Sequence, residues 1–141
     1  MTQSPSHIMR VAIADFVQVN DDNMDAVARQ VCQEAGFRVI VNTPVDVGVL
    51  RGSWQPSIGD MAFAPADVPE DPEGVMASAK VSLMALDVKA GDVFHMSNNC
   101  EYAMPVEQGT VFMMGRWYVA KTLATIDQIC VSVIKSLGLS K

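Results

Sequence analysis

A nucleophilic active site needs a nucleophile, a base and a group that orients the base, and this chain contains one such set on paper. The set is the thiol of Cys100, the imidazole of His95 and a carboxylate from Glu101 or Glu107. The residues around Cys100 do not resemble the sharp strand-to-helix turn that exposes a catalytic nucleophile. His95 falls in the middle of a predicted strand. A small cysteine-dependent hydrolase is therefore only an alternative, and we predict no catalytic residue.

Binding sites for phosphates and metal ions are not indicated either. Gly48, Gly52 and Gly59 are too widely spaced for a phosphate-binding loop, and the lysine of such a loop is missing. Four acidic residues of the segment 59–74 lack the spacing of a calcium loop, so we expect them to be solvated. They are Asp67, Glu70, Asp71 and Glu73. We predict neither a cofactor nor a metal ion.

The charge balance argues against a protein that binds nucleic acid by neutralising phosphates. Sixteen Asp and Glu residues outnumber ten Lys and Arg residues, which leaves a net charge of −6. Proteins that bind in that way present a basic surface. With 141 residues, half of them apolar, the chain is long enough for a single domain over 1–141 with its own core.

Cysteine usage and hydropathy indicate a reducing, aqueous environment. The three cysteines, Cys32, Cys100 and Cys130, are widely spaced and form no paired motif, so we expect free, buried thiols. The first residues show no signal-peptide pattern, and no apolar run approaches the roughly 20 residues of a membrane span. We therefore expect a soluble intracellular protein.

The first half of the chain predicts a long helix followed by a strand. Apolar residues at helical spacing predict a helix over 22–41 that starts at a cluster of capping residues and ends before Pro44. The apolar segment 11–17 fits either a strand or a short helix. Turn-forming residues after Pro44 lead into a predicted strand over 50–58 with Trp54 in its middle.

The segment 59–74 is acidic and contains three prolines, and we predict an extended arm there. A helix over 75–86 follows, with a strand as the alternative, and then a short strand over 93–96. The last helix begins near 112 or 116 and ends at 136, and Gly138 is the expected stop signal. The predicted core faces are Val75, Ala79, Leu83 and Leu86 in one helix and Val119, Leu123, Ile126, Cys130, Val133 and Leu137 in the other. The predicted fold class is α+β, with long N-terminal and C-terminal helices packed on a small, mostly antiparallel sheet.

Two segments carry more information than any single residue. The first runs from Thr43 to Trp54 and reads TPVDVGVLRGSW, and the second runs from Asn98 to Gly109 and reads NNCEYAMPVEQG. Together they resemble the tail-completion or neck proteins of tailed bacteriophages, of the lambda minor tail protein Z type. That family has TPVDTGxLRxSW after a helix and NNxxYAxxxExG after a short strand. The resemblance covers roughly residues 22–118.

The resemblance implies that the matching residues are structural rather than catalytic. This chain departs from the family at Val47, where a Thr is usual, at Val49, where a charged residue is usual, and at Gln108, where an aromatic is usual. These departures bear on the surfaces that would contact partners more than on the fold. The matching residues are Thr43, Pro44, Asp46, Gly48, Leu50, Arg51, Trp54, Asn98, Tyr102, Ala103, Glu107 and Gly109.

As architecture, the motif residues suggest specific contacts. The proline, aspartate and glycine of the first motif would set a tight turn between helix and strand. Trp54 and Tyr102 would bury their rings against the helices. Arg51 and Glu107 are candidates for an ion pair that joins the two motifs, the alternative being that both are solvated.

The resemblance also implies a ring, commonly six-fold, between the portal or adaptor of the head and the tail tube or terminator. Expected partners are copies of the chain and those neighbouring rings, with genomic DNA passing the lumen unbound and no membrane. The expected location is the virion neck, after synthesis in the cytoplasm of the bacterial host. The alternative is an assembly factor that is absent from the finished particle. The predicted contact residues are Met61, Phe63, Pro65, Pro69, Phe112, Met113 and Met114.

Overall fold

The computed structural model of the chain describes residues 5–62 and 70–139, and within them the side chains from residue 18 onward. This part of the chain forms helices and short antiparallel strands, which confirms the predicted α+β class. The elements are α1 (Pro5–Asn42), α2 (Val49–Gly52), β1 (Trp54–Ile58), α3 (Val75–Ala85), β2 (Phe94–Asn98), α4 (Ala103–Gln108), β3 (Gly109–Thr110), β4 (Met113–Met114), α5 (Tyr118–Leu123) and α6 (Ile126–Ser136). None of the helices in these ranges is long and apolar enough to cross a bilayer.

Helix α1 ends where the sequence predicts and begins much earlier. It stops at Asn42, two residues before Pro44, but it extends back to Pro5 and includes the ambiguous segment 11–17. The cluster of capping residues near position 22 does not start a helix. Instead Gln18 donates a side-chain hydrogen bond of 3.0 Å to Asp22 one turn later, so these polar groups bond along an exposed helix surface.

The predicted strand over 50–58 is shorter, because its first residues form the helical turn α2. Gly48, with a φ of 91°, begins this turn, and the Ser53 hydroxyl donates to the Val49 carbonyl at its end. Trp54 is thus the first residue of β1 rather than its centre. Strand β1 pairs antiparallel with β2, and the register places Trp54 opposite Asn98.

Helix α3 confirms the helix predicted over 75–86, but the face that was predicted to be buried is wrong. The core side consists of Ala77, Val81 and Ala85, whereas Leu83 of the predicted face is 69% exposed. Small residues face the core because α1 and α3 approach closely at Gly36. A Cβ atom there would lie 2.7 Å from Val81 Cγ1. The close helix packing therefore turns the larger apolar residues of α3 outward.

The predicted C-terminal helix is divided into shorter elements. A hairpin of β3 and β4 lies where its first residues were expected, and α5 and α6 are separated near Thr125. The Thr122 and Thr125 hydroxyls donate to carbonyls of the preceding turn, which competes with regular helix bonding. Gly138 has a φ of 71° after α6, as a stop signal requires. Of the core face predicted for this helix, only Val133 is fully buried. The residues of α5 and α6 that are buried are Tyr118, Thr122, Ile129 and Val133.

The core centres on Trp54. Its indole N–H donates to Thr43 Oγ1 at 2.8 Å, and that hydroxyl donates to the Val39 carbonyl at 2.6 Å. The indole also meets the ring of Tyr118 edge-on, with ring centroids 6.2 Å apart. The surrounding cluster is Val39, Ile40, Leu50, Ala77 and Val81. The tryptophan thereby connects the end of α1, the sheet, α3 and α5.

The two tryptophans of the chain provide a matched test of this arrangement. We expect Trp54→Phe to lower the free energy of unfolding by about 1–3 kcal/mol, because it removes the bond to Thr43 and leaves a space in the core. Trp117 is half exposed, and Trp117→Phe should change that free energy by no more than about 0.5 kcal/mol. Urea unfolding measures both, and equal losses would contradict the central role of Trp54.

Candidate functional site

The two sequence motifs meet in the folded chain. The Asn98 side-chain amide donates to the Leu50 carbonyl at 2.8 Å, beside the pairing of Asn98 with Trp54 across the sheet. Farther along the second motif, the Ala103 carbonyl accepts a 2.7 Å hydrogen bond from the Tyr118 hydroxyl. These contacts place both motifs against the same core, and we take their junction as the candidate site.

Arg51 satisfies the C-terminal end of α1. Its Nη2 donates to the Val41 carbonyl at 3.1 Å and to the Thr43 carbonyl at 2.7 Å, and Nε also donates to Thr43. Nη1 reaches the Pro72 carbonyl at 2.8 Å. The last carbonyls of a helix lack partners within the helix and carry partial negative charge, so a guanidinium is favourable there. Arg51 also fastens the segment around Pro72 to that helix end.

Glu107 has the opposite task at α5. Its Oε2 accepts the Val119 N–H at 2.9 Å and its Oε1 accepts the Ala120 N–H at 3.0 Å. Both groups belong to the first turn of α5, where N–H groups lack partners within the helix. The predicted ion pair between Arg51 and Glu107 is therefore wrong, and so is the solvated alternative. Each charge binds the backbone at a helix end of opposite partial charge.

A third charged residue does the same and escaped the sequence reasoning. Asp71, predicted to be solvated, is buried, and its carboxylate accepts the N–H groups of Val75 and Ala77 at 2.9 and 3.0 Å. The Asp71 N–H donates to the Gly48 carbonyl at 3.2 Å. Asp71 lies three positions before Gly74, the residue that precedes an apolar helix, and an acidic residue so close to a helix start is a capping signal that was available in the sequence.

The predicted arm over 59–74 is docked at both of its described ends. The Gly59 N–H donates a hydrogen bond to the Val93 carbonyl, and the Ala62 carbonyl accepts one from the Ser97 hydroxyl. At the other end, a Cβ on Gly48 would lie 2.4 Å from the Pro72 nitrogen, so residues 70–74 press on the first motif. Met61 is half exposed. The contact residues predicted at Phe63, Pro65 and Pro69 lie outside the described residues.

The turn of the first motif and the second motif enclose an open cavity of about 290 Å³. The turn links α1 to α2 rather than to a strand. Tyr102 lies at this cavity and is 43% exposed, so its predicted burial is wrong. The buried tyrosine is Tyr118. The cavity is lined by Pro44, Val45, Asp46, Val47, Gly48, Leu50, Tyr102, Val106, Met113 and Arg116.

The residues considered for catalysis have other partners. The His95 Nε2 lies 2.8 Å from the Gly59 carbonyl, and both carboxylate oxygens of Glu107 bind α5. Cys100 is partly buried and packs against the core.

Cys32, a second thiol, lies on α1. Burial, and secondarily the charge of Asp92, raises the pKa of the Cys32 thiol. Among the described residues no three His, Cys, Asp or Glu side chains are grouped to hold a metal ion.

The remaining predicted contact residues lie at the hairpin of β3 and β4. Phe112, between the two strands, is 98% exposed, and Met114 is 88% exposed. Gly109, the last residue of the second motif, begins this hairpin with a φ of 88°. A Cβ on Gly109 would lie 2.5 Å from the Gly115 nitrogen, so the close approach of the two strands requires glycine.

Comparison of the chain with protein-family models, curated proteins and solved structures found no match.

The helix-end roles of Arg51 and Glu107 predict independent effects of their substitution. We expect Arg51→Gln and Glu107→Gln each to lower the free energy of unfolding by about 1–3 kcal/mol. The double variant should lose the sum, within about 0.5 kcal/mol, because the two groups share no partner.

Urea unfolding of all four proteins measures this additivity, with Arg38→Gln as the control at an exposed arginine. By the same reasoning, exchanging the two charges, Arg51→Glu with Glu107→Arg, should not restore stability. A rescue by that exchange would reinstate the ion pair.

The raised pKa of Tyr118 predicts that the free energy of unfolding falls at high pH. Burial, followed by the nearby charge of Glu107, raises its pKa to about 12, whereas a tyrosine in the unfolded chain ionises near pH 10. The folded state thus retains a proton that the unfolded state loses, so its contribution is full below about pH 10 and disappears as pH rises towards 12.

Urea unfolding between about pH 8 and pH 11.5 should show this decline. Tyr118→Phe should be less stable at pH 8, since it loses the bond to Ala103, but its stability should fall less steeply. Parallel curves for the two proteins would show that Tyr118 is not the group responsible.

Proposed function

We propose that this chain is a structural protein of the phage neck. It forms a ring that completes the tail and joins it to the portal or adaptor of the head, with DNA passing through the lumen. The observation that carries the proposal is that the side chains of the two motifs form hydrogen bonds within the fold. Trp54, Arg51 and Glu107 all bind groups that organise the fold, which is what a scaffold requires of its motif.

The exposed apolar surface supports an assembly role. Val75 and Leu83 of α3 and Leu86 directly after it are mostly exposed, and Phe112 and Met114 are exposed on the hairpin. A monomeric soluble protein rarely presents large contiguous apolar patches, because water contact with them is unfavourable. Such surfaces are stabilised when another protein covers them. A component of stacked rings has partners on several sides.

The charge of the chain suits the same role. Its net charge of −6 repels the phosphates of DNA at short range. In a ring through which a genome moves, adhesion to the wall would retard DNA passage. The acidic balance, which argues against a nucleic-acid-binding protein, is thus compatible with a wall that DNA passes without specific binding.

Purified particles of the phage that carries this gene test the proposal. We expect mass spectrometry to find the protein in DNA-filled virions, and deletion of the gene to leave heads and tails unjoined. Its presence in lysates but absence from virions would contradict the proposal and indicate an assembly factor.

The same system tests the catalytic alternative through the cysteines. Cys100→Ala should support plaque formation to the same titre as the wild type, as should Cys130→Ala, the control at a second partly buried thiol. If Cys100→Ala alone abolished infectivity while the protein was incorporated normally, the structural role would be insufficient.

A further inference from the structure

The hairpin of β3 and β4 presents an apolar tip to solvent. Val111 and Phe112, which we call the hairpin tip, are 97% and 98% exposed. Full exposure of a phenyl ring forgoes the free energy that its burial would release, because an aromatic side chain can bury roughly 150–250 Å². The tip is therefore suited to insertion into an apolar site.

The hairpin is anchored at its base. The Arg116 N–H donates to the Val106 carbonyl at 2.8 Å, and the Trp117 N–H donates to the Glu107 carbonyl at 3.0 Å. A Cβ on Gly115 would lie 2.6 Å from the carbonyl carbon of Gln108, so the two sides of the hairpin are packed closely. A tip held in this way loses little conformational entropy on binding.

A complementary site lies elsewhere on the same chain. An open apolar groove of about 260 Å³ lies between α1, β2 and α5, next to the indole of Trp54. None of the side chains that line it carries a charge. The hydroxyl of Thr122, its one lining hydroxyl, already donates to the Tyr118 carbonyl. The lining includes Ala35, Trp54, Phe94, Met96, Leu123 and Ile126.

The size and chemistry of the groove match those of the hairpin tip. An apolar cavity of roughly 150 Å³ accepts a benzene molecule, so the groove has room for the Phe112 ring with space left for Val111. Neither surface has a charge to desolvate, which removes a large cost of burial. Because Phe112 is almost fully exposed, the tip does not occupy the groove of its own chain.

We infer that the hairpin tip of one copy of this chain inserts into the apolar groove of a second copy. The contact joins two different surfaces, so it is heterologous and repeats from copy to copy, closing a ring where the rotation permits. The inference deepens the proposed neck function and rests on it for the ring, because it identifies the contact between neighbouring subunits.

Substitution on each side of the contact tests the inference. At concentrations up to about 100 µM, we expect the wild type to form oligomers in sedimentation velocity, and Phe112→Ser and Leu123→Glu each to weaken association roughly thirtyfold or more. Val131→Ser, at an exposed residue of α6 away from both surfaces, is the control and should assemble like the wild type.

Mixing the two variants tests which surfaces meet. Phe112→Ser retains an intact groove and Leu123→Glu retains an intact tip, so their mixture should give one-to-one dimers that grow no further. A chain that carries both substitutions lacks an intact tip and an intact groove, so it should stay monomeric. Far-UV circular dichroism confirms that each variant is folded.

A photo-reactive benzoylphenylalanine in place of Phe112 gives an independent measurement that needs no destabilising change. In a mixture of ¹⁴N- and ¹⁵N-labelled protein, we expect crosslinks between isotopically different chains, mapped to the peptides of Met96 and Leu123. A wild type that stays monomeric, Phe112→Ser oligomers as tight as the wild type, or crosslinks to other peptides would each overturn the inference.

These outcomes separate the inference from the proposed function. If the protein is present in virions but Phe112→Ser leaves its oligomers unchanged, the neck function stands and the contact is wrong. If crosslinks form as expected but the protein is absent from virions, the contact stands and the neck function is wrong.

Discussion

The hydrogen bonding of Thr43, the residue that follows the end of α1, is the constraint on which much of the structure depends. The Thr43 hydroxyl accepts the indole N–H of Trp54 and donates to Val39, while its carbonyl accepts two bonds from Arg51. One fully buried residue therefore positions the central aromatic ring and the guanidinium that holds the segment near Pro72. Without these partners, the hydroxyl and carbonyl of the buried Thr43 would lose hydrogen bonds at the end of a long helix.

Charged side chains at helix ends extend the same principle across the domain. Arg51 binds the C-terminal carbonyls of α1, and carboxylates from Asp71 and Glu107 bind the first N–H groups of α3 and α5. In each case a full charge meets a helix end of opposite partial charge. Since the charged residue lies outside the helix that it satisfies, each contact also ties that helix to another part of the chain: α2 through Arg51, α4 through Glu107 and the segment before α3 through Asp71. The two motifs thus hold loops and helices in register without a salt bridge between them.

The same packing decides which apolar residues are left for partners. Close contact at Gly36 selects the small side of α3 for the core and turns Leu83 outward. The hairpin is closely packed at Gly109 and Gly115, and Phe112 at its turn is almost fully exposed. These side chains do not belong to the core cluster around Trp54, so their exposure is a property of the fold and suits a protein that acts through contacts.

The sequence by itself determined the α+β class, the end of α1 before Pro44, the existence of α3 and the stop at Gly138. These features follow from local chemistry: proline restricts the residue before it, apolar periodicity marks a helix, and glycine permits a positive φ. It also singled out Arg51, Trp54 and Glu107, because their spacing matches a recognisable motif.

Only the tertiary structure decided what those residues contact and which helix faces are buried. Arg51 and Glu107 have opposite charges, from which the sequence predicts a pair, but in the folded chain each side chain binds backbone groups at a helix end instead. The core face of α3 could not be inferred from hydrophobicity, because Gly36 lies far away in sequence and sets the distance between the helices. Tyr118 rather than Tyr102 fills the core for the same reason: burial depends on contacts between distant segments, which a local pattern does not encode.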